Sequence, residues 1–438
     1  MTPRSLAPLA VALGLLAGSC SSPPPSTALL FQERLAASSL ARGEAMDAVV
    51  ERTSIPGVVV GTITRDGAEE FLSHGVHGVG DSTPMSPDSI FEIQSMTKAI
   101  TATAALQLVE QGRIGLDDPL EEVMPELRQI QILGEDGSRR PPVRPVTLRD
   151  LLRHTSGFAY FFTSPAILAE VRLSPITGMP LPDKLEEGEY DWGFDVQPRR
   201  IFDAGEAWVY GRGVGVAARV VERVSGEDLD TYFKGHILGP LGLDSTGYNL
   251  AEPLMDRRVT VHARVPGTGV LVPMPDVRPI PMERFYRGGS LLSTPRDYAR
   301  FLRCLLNGGE LDGVRILGEE MVSLMMTDQL PDGVRVTMPP DPAQEQEQER
   351  DRSYLEEFDD GYSLSWAIEV GSEDGARPEG VGYWSGLFNT YYTIDPERGI
   401  AIFSQLLPFD DPEAYEIYRS YEDMVYGAIL GTGGGSAD

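Results

Sequence analysis

The chain has 438 residues, of which 41% are hydrophobic and 24% charged, and its formal charge is −29. That length supports a large core, in one domain or two intertwined ones. The charge argues against a nucleic-acid partner, whose phosphates would be repelled, and says nothing about the fold.

The N-terminus predicts a targeting segment. Arg4 supplies a positive start, and Leu6 to Leu16 is an apolar stretch too short to span a bilayer stably. Ala17-Gly18-Ser19-Cys20 then resembles a bacterial lipoprotein signal (residues 1–20), with cleavage before Cys20 and a lipid on that cysteine as membrane anchor. Ala17 stands where such signals usually carry leucine. Residues 21–28, rich in Ser and Pro, read as a flexible tether. The expected location is the bacterial cell envelope, on the periplasmic or outer side. Cys304, the other cysteine, falls in an apolar helix, Tyr298 to Leu306, and reads as a small buried hydrophobe.

Gly57 to Thr64 predicts a buried strand and Glu69 to Ser73 its hairpin partner. Ser95-Met96-Thr97-Lys98 opens a helical run that continues from Ala99 to Gln111 and stops at Gly112. Thr147-Leu148-Arg149-Asp150 is a capping box for a short helix to Arg153, and Thr294-Pro295-Arg296-Asp297 starts another that ends at Asn307-Gly308-Gly309. Val214 to Val224 is helical. Residues 339–358 predict an exposed loop. Tyr391 to Ile394 and Ile400 to Leu406 form a hairpin, and Tyr415 to Leu430 a closing helix. Strands gather at both ends of the chain. One mixed sheet built from both ends, with a helical region inserted, satisfies this order.

Three stretches carry chemistry. In Ser95-x-x-Lys98 the two side chains share a helix face, so a lysine with lowered pKa can take the serine's proton. Lysine is scarce, with Lys98, Lys184 and Lys234 against 34 arginines. Tyr210, just before a helix, presents a phenol able to shuttle protons, or is a half-buried structural tyrosine. Gly382-Tyr383-Trp384-Ser385-Gly386-Leu387 offers backbone N–H groups of the kind an acyl-transfer oxyanion needs. The five histidines show no metal-ligand spacing, and no metal or cofactor is expected. The aromatic run Phe158 to Phe162 packs internally or lines a cleft, and residues 160–205 form a lid, a cleft wall or a plain surface insertion. No Gly-x-Ser-x-Gly elbow occurs, against an α/β-hydrolase.

Together with Leu151 to Gly157, Gly239 to Gly247, Gly288 to Thr294 and Asp395 to Gly399, these stretches resemble, in collinear order over about residues 30–430, the serine β-lactamase and penicillin-binding-protein-like superfamily. The likeness is closest to its esterase branch, the family VIII carboxylesterases. It implies an α/β (α+β), β-lactamase/transpeptidase-like fold: an antiparallel sheet flanked by helices, with an α/β part of about 29–115 and 285–430 and a helical part of about 116–284. It also implies that Ser95 is the nucleophile, Lys98 its base and Tyr210 the proton-transfer partner, with the N–H groups of Ser95 and Leu387 as oxyanion hole. Penicillin-recognising members usually carry Tyr-x-Asn and Lys-Thr-Gly; here Arg212 and Trp384-Ser385-Gly386 stand there. Losing the strand lysine removes a cation and adds apolar wall, so the pocket (Trp384, Ser385, Gly386, Arg212) should take neutral acyl groups. Arg212 either restores positive charge near Tyr210 or points outward to the acidic surface. The expected activity is a serine carboxylesterase on short-to-medium acyl esters, the small-molecule partner being an ester or amide. The alternatives are a D-alanyl-D-alanine carboxypeptidase or β-lactamase, and a non-catalytic envelope binding protein.

Overall fold

Strand β1 (Gly57–Thr64) is buried along its whole length and reads as a run of valine, isoleucine, glycine and threonine with no charged residue. The computed structural model describes residues 27–172, 197–265, 268–274, 288–336, 360–371, 377–406 and 412–430. Within them β1 pairs with β2 (Glu69–Gly75) on one side. On the other it pairs with a strand from the far end of the chain. The remaining strands of the sheet are β3 (Gly361–Tyr362), β4 (Ala367–Ile368), β5 (Gly382–Gly386), β6 (Thr390–Asp395) and β7 (Ile400–Leu406). The seven-stranded order is β3-β4-β5-β6-β7-β1-β2, every pair antiparallel. The antiparallel sheet that the resemblance implies is the observed one. The mixed sheet expected from element order does join both ends of the chain but is corrected in its pairing, since every described strand pair in it is antiparallel.

Each face of the sheet has its own cover. Val58, Val60, Val381 and Tyr391 pack with Leu35, Met46 and Val49 of helix α1 (Thr27–Val50) and with Ile417, Tyr421 and Val425 of the C-terminal helix (Pro412–Leu430). Val59, Ile63, Tyr392 and Ile394 face the opposite core, which contains α2 (Thr97–Glu110). Helix α1 lies outside the sequence expectations. It begins at Thr27, so the expected tether to residue 28 overlaps its first turn. The signal, Cys20 and the 339–358 loop lie outside the described residues. Among those residues no helix is long and apolar enough to cross a membrane.

Local signals place the other helices. Thr147 and Asp150 form the capping box of α3 (Leu148–Leu152). Helix α4 (Gly213–Ser225) stops at Gly226, which takes the left-handed conformation. Thr294 caps α5 (Pro295–Leu306), with Pro295 in the first turn and Cys304 fully buried. The C-terminal helix is α6. Residues 116–284 add no strand to the main sheet among those described; they carry short helices and two small ladders, Ile132–Leu133 with Arg139–Arg140 and His262–Arg264 with Leu271–Pro273.

Candidate active site

Ser95 sits in a 3-10 turn, Gln94–Met96, that runs directly into α2. Gln94 has φ of 43°, an unusual left-handed setting for a non-glycine residue immediately before the serine. The turn is tied down from outside. Phe91 and Glu92 pair with Ser293 and Leu292, and the Ile93 N–H donates to the Leu291 carbonyl at 3.0 Å. Helix α2 is buried on all sides from Thr97 to Leu108, and Lys98 is 1% exposed. Its Nζ lies 2.8 Å from Ser95 Oγ and donates to the Gly288 carbonyl at 3.0 Å. Burial holds its ammonium form well below the usual lysine range, and the Arg212 guanidinium adds repulsion. A lysine so placed is able to accept a proton at neutral pH.

Tyr210 reaches the same oxygen from the other side, its hydroxyl 2.7 Å from Ser95 Oγ. Backbone contacts aim it. A Cβ on Gly211 would stand 1.8 Å from the Phe158 carbonyl, so only glycine lets these two segments touch. The Tyr210 carbonyl accepts from Thr163 Oγ1 at 2.9 Å. Around the phenol stand His154, Tyr160 and Trp384, with ring centroids 4.9, 5.3 and 5.1 Å from that of Tyr210. Phe158 and Tyr160 of the aromatic run are both buried, and Tyr160 borders the site.

Strand β5 brings the third stretch. β4 pairs with Gly382 and Tyr383, and among the described residues no strand pairs with β5 on that side from Trp384 onward. Trp384 stands opposite Tyr392, on the face that holds Ser95. A Cβ on Gly386 would lie 2.3 Å from the Ile93 carbonyl and from Thr390 Oγ1, so the strand end touches the segment leading into the serine turn. Leu387 follows, half exposed.

The beta-lactamase family model matches residues 43–416. The chain belongs to the beta-lactamase family. It is 29% identical to lovastatin esterase of Penicillium rubens, over 79% of this chain and 87% of that protein. It is 27% identical to monacolin J acid methylbutanoyltransferase of Aspergillus terreus, over 78% and 83%. A solved structure of simvastatin synthase from Aspergillus terreus, a LovD9 mutant, superposes with a TM-score of 0.74 at 25% identity, covering 89% of this chain and 98% of that one. By name these relatives are an esterase, an acyl-group transferase and a synthase.

Two of the expected pocket residues of this beta-lactamase-family chain are set differently from a simple lining strand. Side chains alternate along β5, and Ser385 stands opposite Tyr391, on the face covered by α6 and away from Trp384. Gly386 serves close approach to Ile93 more than it walls a pocket. Arg212 does not point outward: it is 9% exposed, with its guanidinium 5.6 Å from the Tyr160 ring centroid. Sequence patterns assign no role to the Gly288 carbonyl, to His154 or to the backbone at Gln94. Of the five non-glycine residues with positive φ among those described, Gln94 immediately precedes Ser95 and His154 packs on Tyr210. His154 and Gly288 lie in stretches that carry the family resemblance, His154 in Leu151 to Gly157 and Gly288 at the start of Gly288 to Thr294.

Proposed function

We propose that the chain is a serine esterase acting through an acyl-enzyme on Ser95. The observation that carries this reading is the meeting of Lys98 Nζ and Tyr210 OH on Ser95 Oγ, at 2.8 and 2.7 Å. Ser95 Oγ attacks the ester carbonyl carbon while its proton passes to neutral Lys98. The backbone N–H groups of Ser95 and Leu387 receive the oxyanion. The C–O bond breaks, and the departing alkoxide takes a proton through Tyr210. Water then attacks the acyl carbon, its proton returns through the same pair, and the acid leaves with Ser95 restored. Trp384 in place of a strand lysine favours neutral acyl groups, and the likeness to lovastatin esterase supports an ester as substrate. The likeness to a methylbutanoyltransferase supports an alcohol as an alternative acceptor for the same acyl group. We place the enzyme at the bacterial envelope, held through a lipid on Cys20, on the strength of the signal motif alone.

The test is hydrolysis of short-chain p-nitrophenyl esters by residues 27–438, with Ser95→Ala and a chromogenic cephalosporin in parallel. Ester turnover that falls by roughly 10³-fold or more in Ser95→Ala is expected. Cephalosporin turnover without ester turnover would move the chain to the peptidase or β-lactamase class. Inertness to both, in a folded protein, would leave a binding role. For the anchor, the full chain expressed in bacteria should enter the detergent phase, and Cys20→Ser should release it; equal partitioning of both would sink the lipid assignment.

A further inference from the structure

We propose that Arg212 is a positioning residue: a second buried cation set against Lys98 that decides the pH range in which the Ser95–Lys98 pair works. The proposal rests on the esterase reading above. Arg212 Cζ and Lys98 Nζ lie 5.6 and 5.9 Å from the centroid of one ring, that of Tyr160. Lys98 Nζ is also 4.9 Å from the Tyr210 ring. Both cations are buried, Arg212 at 9% and Lys98 at 1% exposure, so water and salt screen little of the repulsion between them.

Among the described residues, Arg212 is the charged side chain that acts on Lys98. From its own helix turn comes the Ser95 hydroxyl; from the 288–293 segment, the Gly288 carbonyl. From the loops facing α2 come the phenols of Tyr160 and Tyr210 and the imidazole of His154, which burial keeps neutral. Arg212 is always charged, because guanidinium does not lose its proton in proteins. A fixed positive charge disfavours the ammonium form of Lys98 and leaves the amine free to accept the serine's proton. Its position two residues after Tyr210 couples the proton shuttle and this charge through one stretch of backbone. The cation–π contacts with Tyr160 soften the cost of burying two like charges together.

The experiment is the pH profile of kcat/KM for p-nitrophenyl ester hydrolysis by the wild-type chain, Arg212→Lys, Arg212→Gln and Arg212→Met. The rate rises with pH as Lys98 loses its proton. Removing the charge in Arg212→Gln and Arg212→Met raises the lysine pKa, so the acid limb should move up by about one pH unit, with about a tenfold loss on that limb and convergence towards wild type above it. Arg212→Lys keeps a charge and should keep the limb near its wild-type position. A uniform fall in rate with an unmoved limb in both neutral variants would overturn the proposal and leave Arg212 a packing residue. The rate of Ser95 labelling by a p-nitrophenyl phosphonate, followed by mass spectrometry across the same pH range, reads only folded molecules. It therefore tests a partly unfolded variant on the same terms. A wild-type chain that neither hydrolyses esters nor takes up phosphonate would instead refute the esterase reading, and this proposal with it.

Discussion

His154 grips Tyr210 from both sides: its carbonyl accepts the Val209 N–H at 3.0 Å and its Nδ1 accepts the Gly211 N–H at 3.4 Å, with the two rings 4.9 Å apart. The imidazole is buried, and burial, then the charge of Lys98, holds its pKa well below the usual value. His154→Phe keeps the ring and loses the acceptor. It should lower kcat by about 10-fold or more through a misplaced phenol, with little change in KM. A parallel rise in KM with unchanged kcat would argue against this role.

The same residue makes a pH prediction. The folded state keeps His154 neutral, while the unfolded chain takes up a proton as pH falls below about 6.5. The stability present above that pH is therefore lost on acidification. The loss from His154 is about 1.4 kcal/mol between pH 7.5 and 5.5. Urea titrations at the two pH values should show a drop smaller by that amount in His154→Phe.

Lys98 should weaken the fold that it serves. Its amine is held neutral by burial, whereas in the unfolded chain it binds a proton up to about pH 10.4. The unfolded state is thus favoured at pH 7, and stability rises with pH. Lys98→Met should abolish ester turnover yet raise the melting temperature at pH 7, by roughly 1 °C for each 1 kcal/mol gained in a chain of this length. The gap between variant and wild type should narrow by pH 9.5 in calorimetry. A gap independent of pH would refute the assignment.

Gly386→Ala places a methyl 2.3 Å from the Ile93 carbonyl and must push β5 away from the serine turn. Hydrolysis should fall by at least about 100-fold, more than the loss of stability explains. Gly235 has open space around its Cβ and an ordinary φ. Gly235→Ala is the control and should match wild type in kcat.

Under the sheet, Glu422 is fully buried against Arg377 Nε at 2.9 Å, Thr393 Oγ1 at 2.5 Å and Tyr418 OH at 3.0 Å, with Arg419 beside it. Glu422→Gln leaves Arg377 buried without its counter-charge and should cost about 3–5 kcal/mol in urea denaturation. The double change Arg377→Met with Glu422→Leu should recover most of that loss, because neither buried charge is then stranded and Arg419 keeps Asp423 at 3.6 Å.

What is legible in the sequence is local. β1 announces itself by an apolar run, α3 and α5 by their caps, and the Ser95–Lys98 pair by helical spacing. The fold class follows from resemblance, and the family match and neighbouring structures agree with it. Helix α1 escapes detection because its Ala, Ser and Arg residues show no clean apolar stripe, and its partner α6 stands at the other end of the chain. The carbonyl that holds Lys98 is 190 residues away, a distance over which no spacing rule reaches. Arg212 looks equally at home on the surface, since nothing local distinguishes a buried arginine from an exposed one. The turning away of Ser385 follows from strand alternation once β5 has its partners.

The strand order has a consequence for how the chain is made. β1 is completed by β7, whose last residue, Leu406, pairs with Val58. While the ribosome is still short of Ile400, the fully buried β1 has one side bare. Such long-range pairing is slow to form. Any premature stop before that point leaves Val58, Val59 and Val60 on an open sheet edge, the kind of edge that recruits other chains. Truncated products of this gene should therefore aggregate rather than persist as partial enzymes.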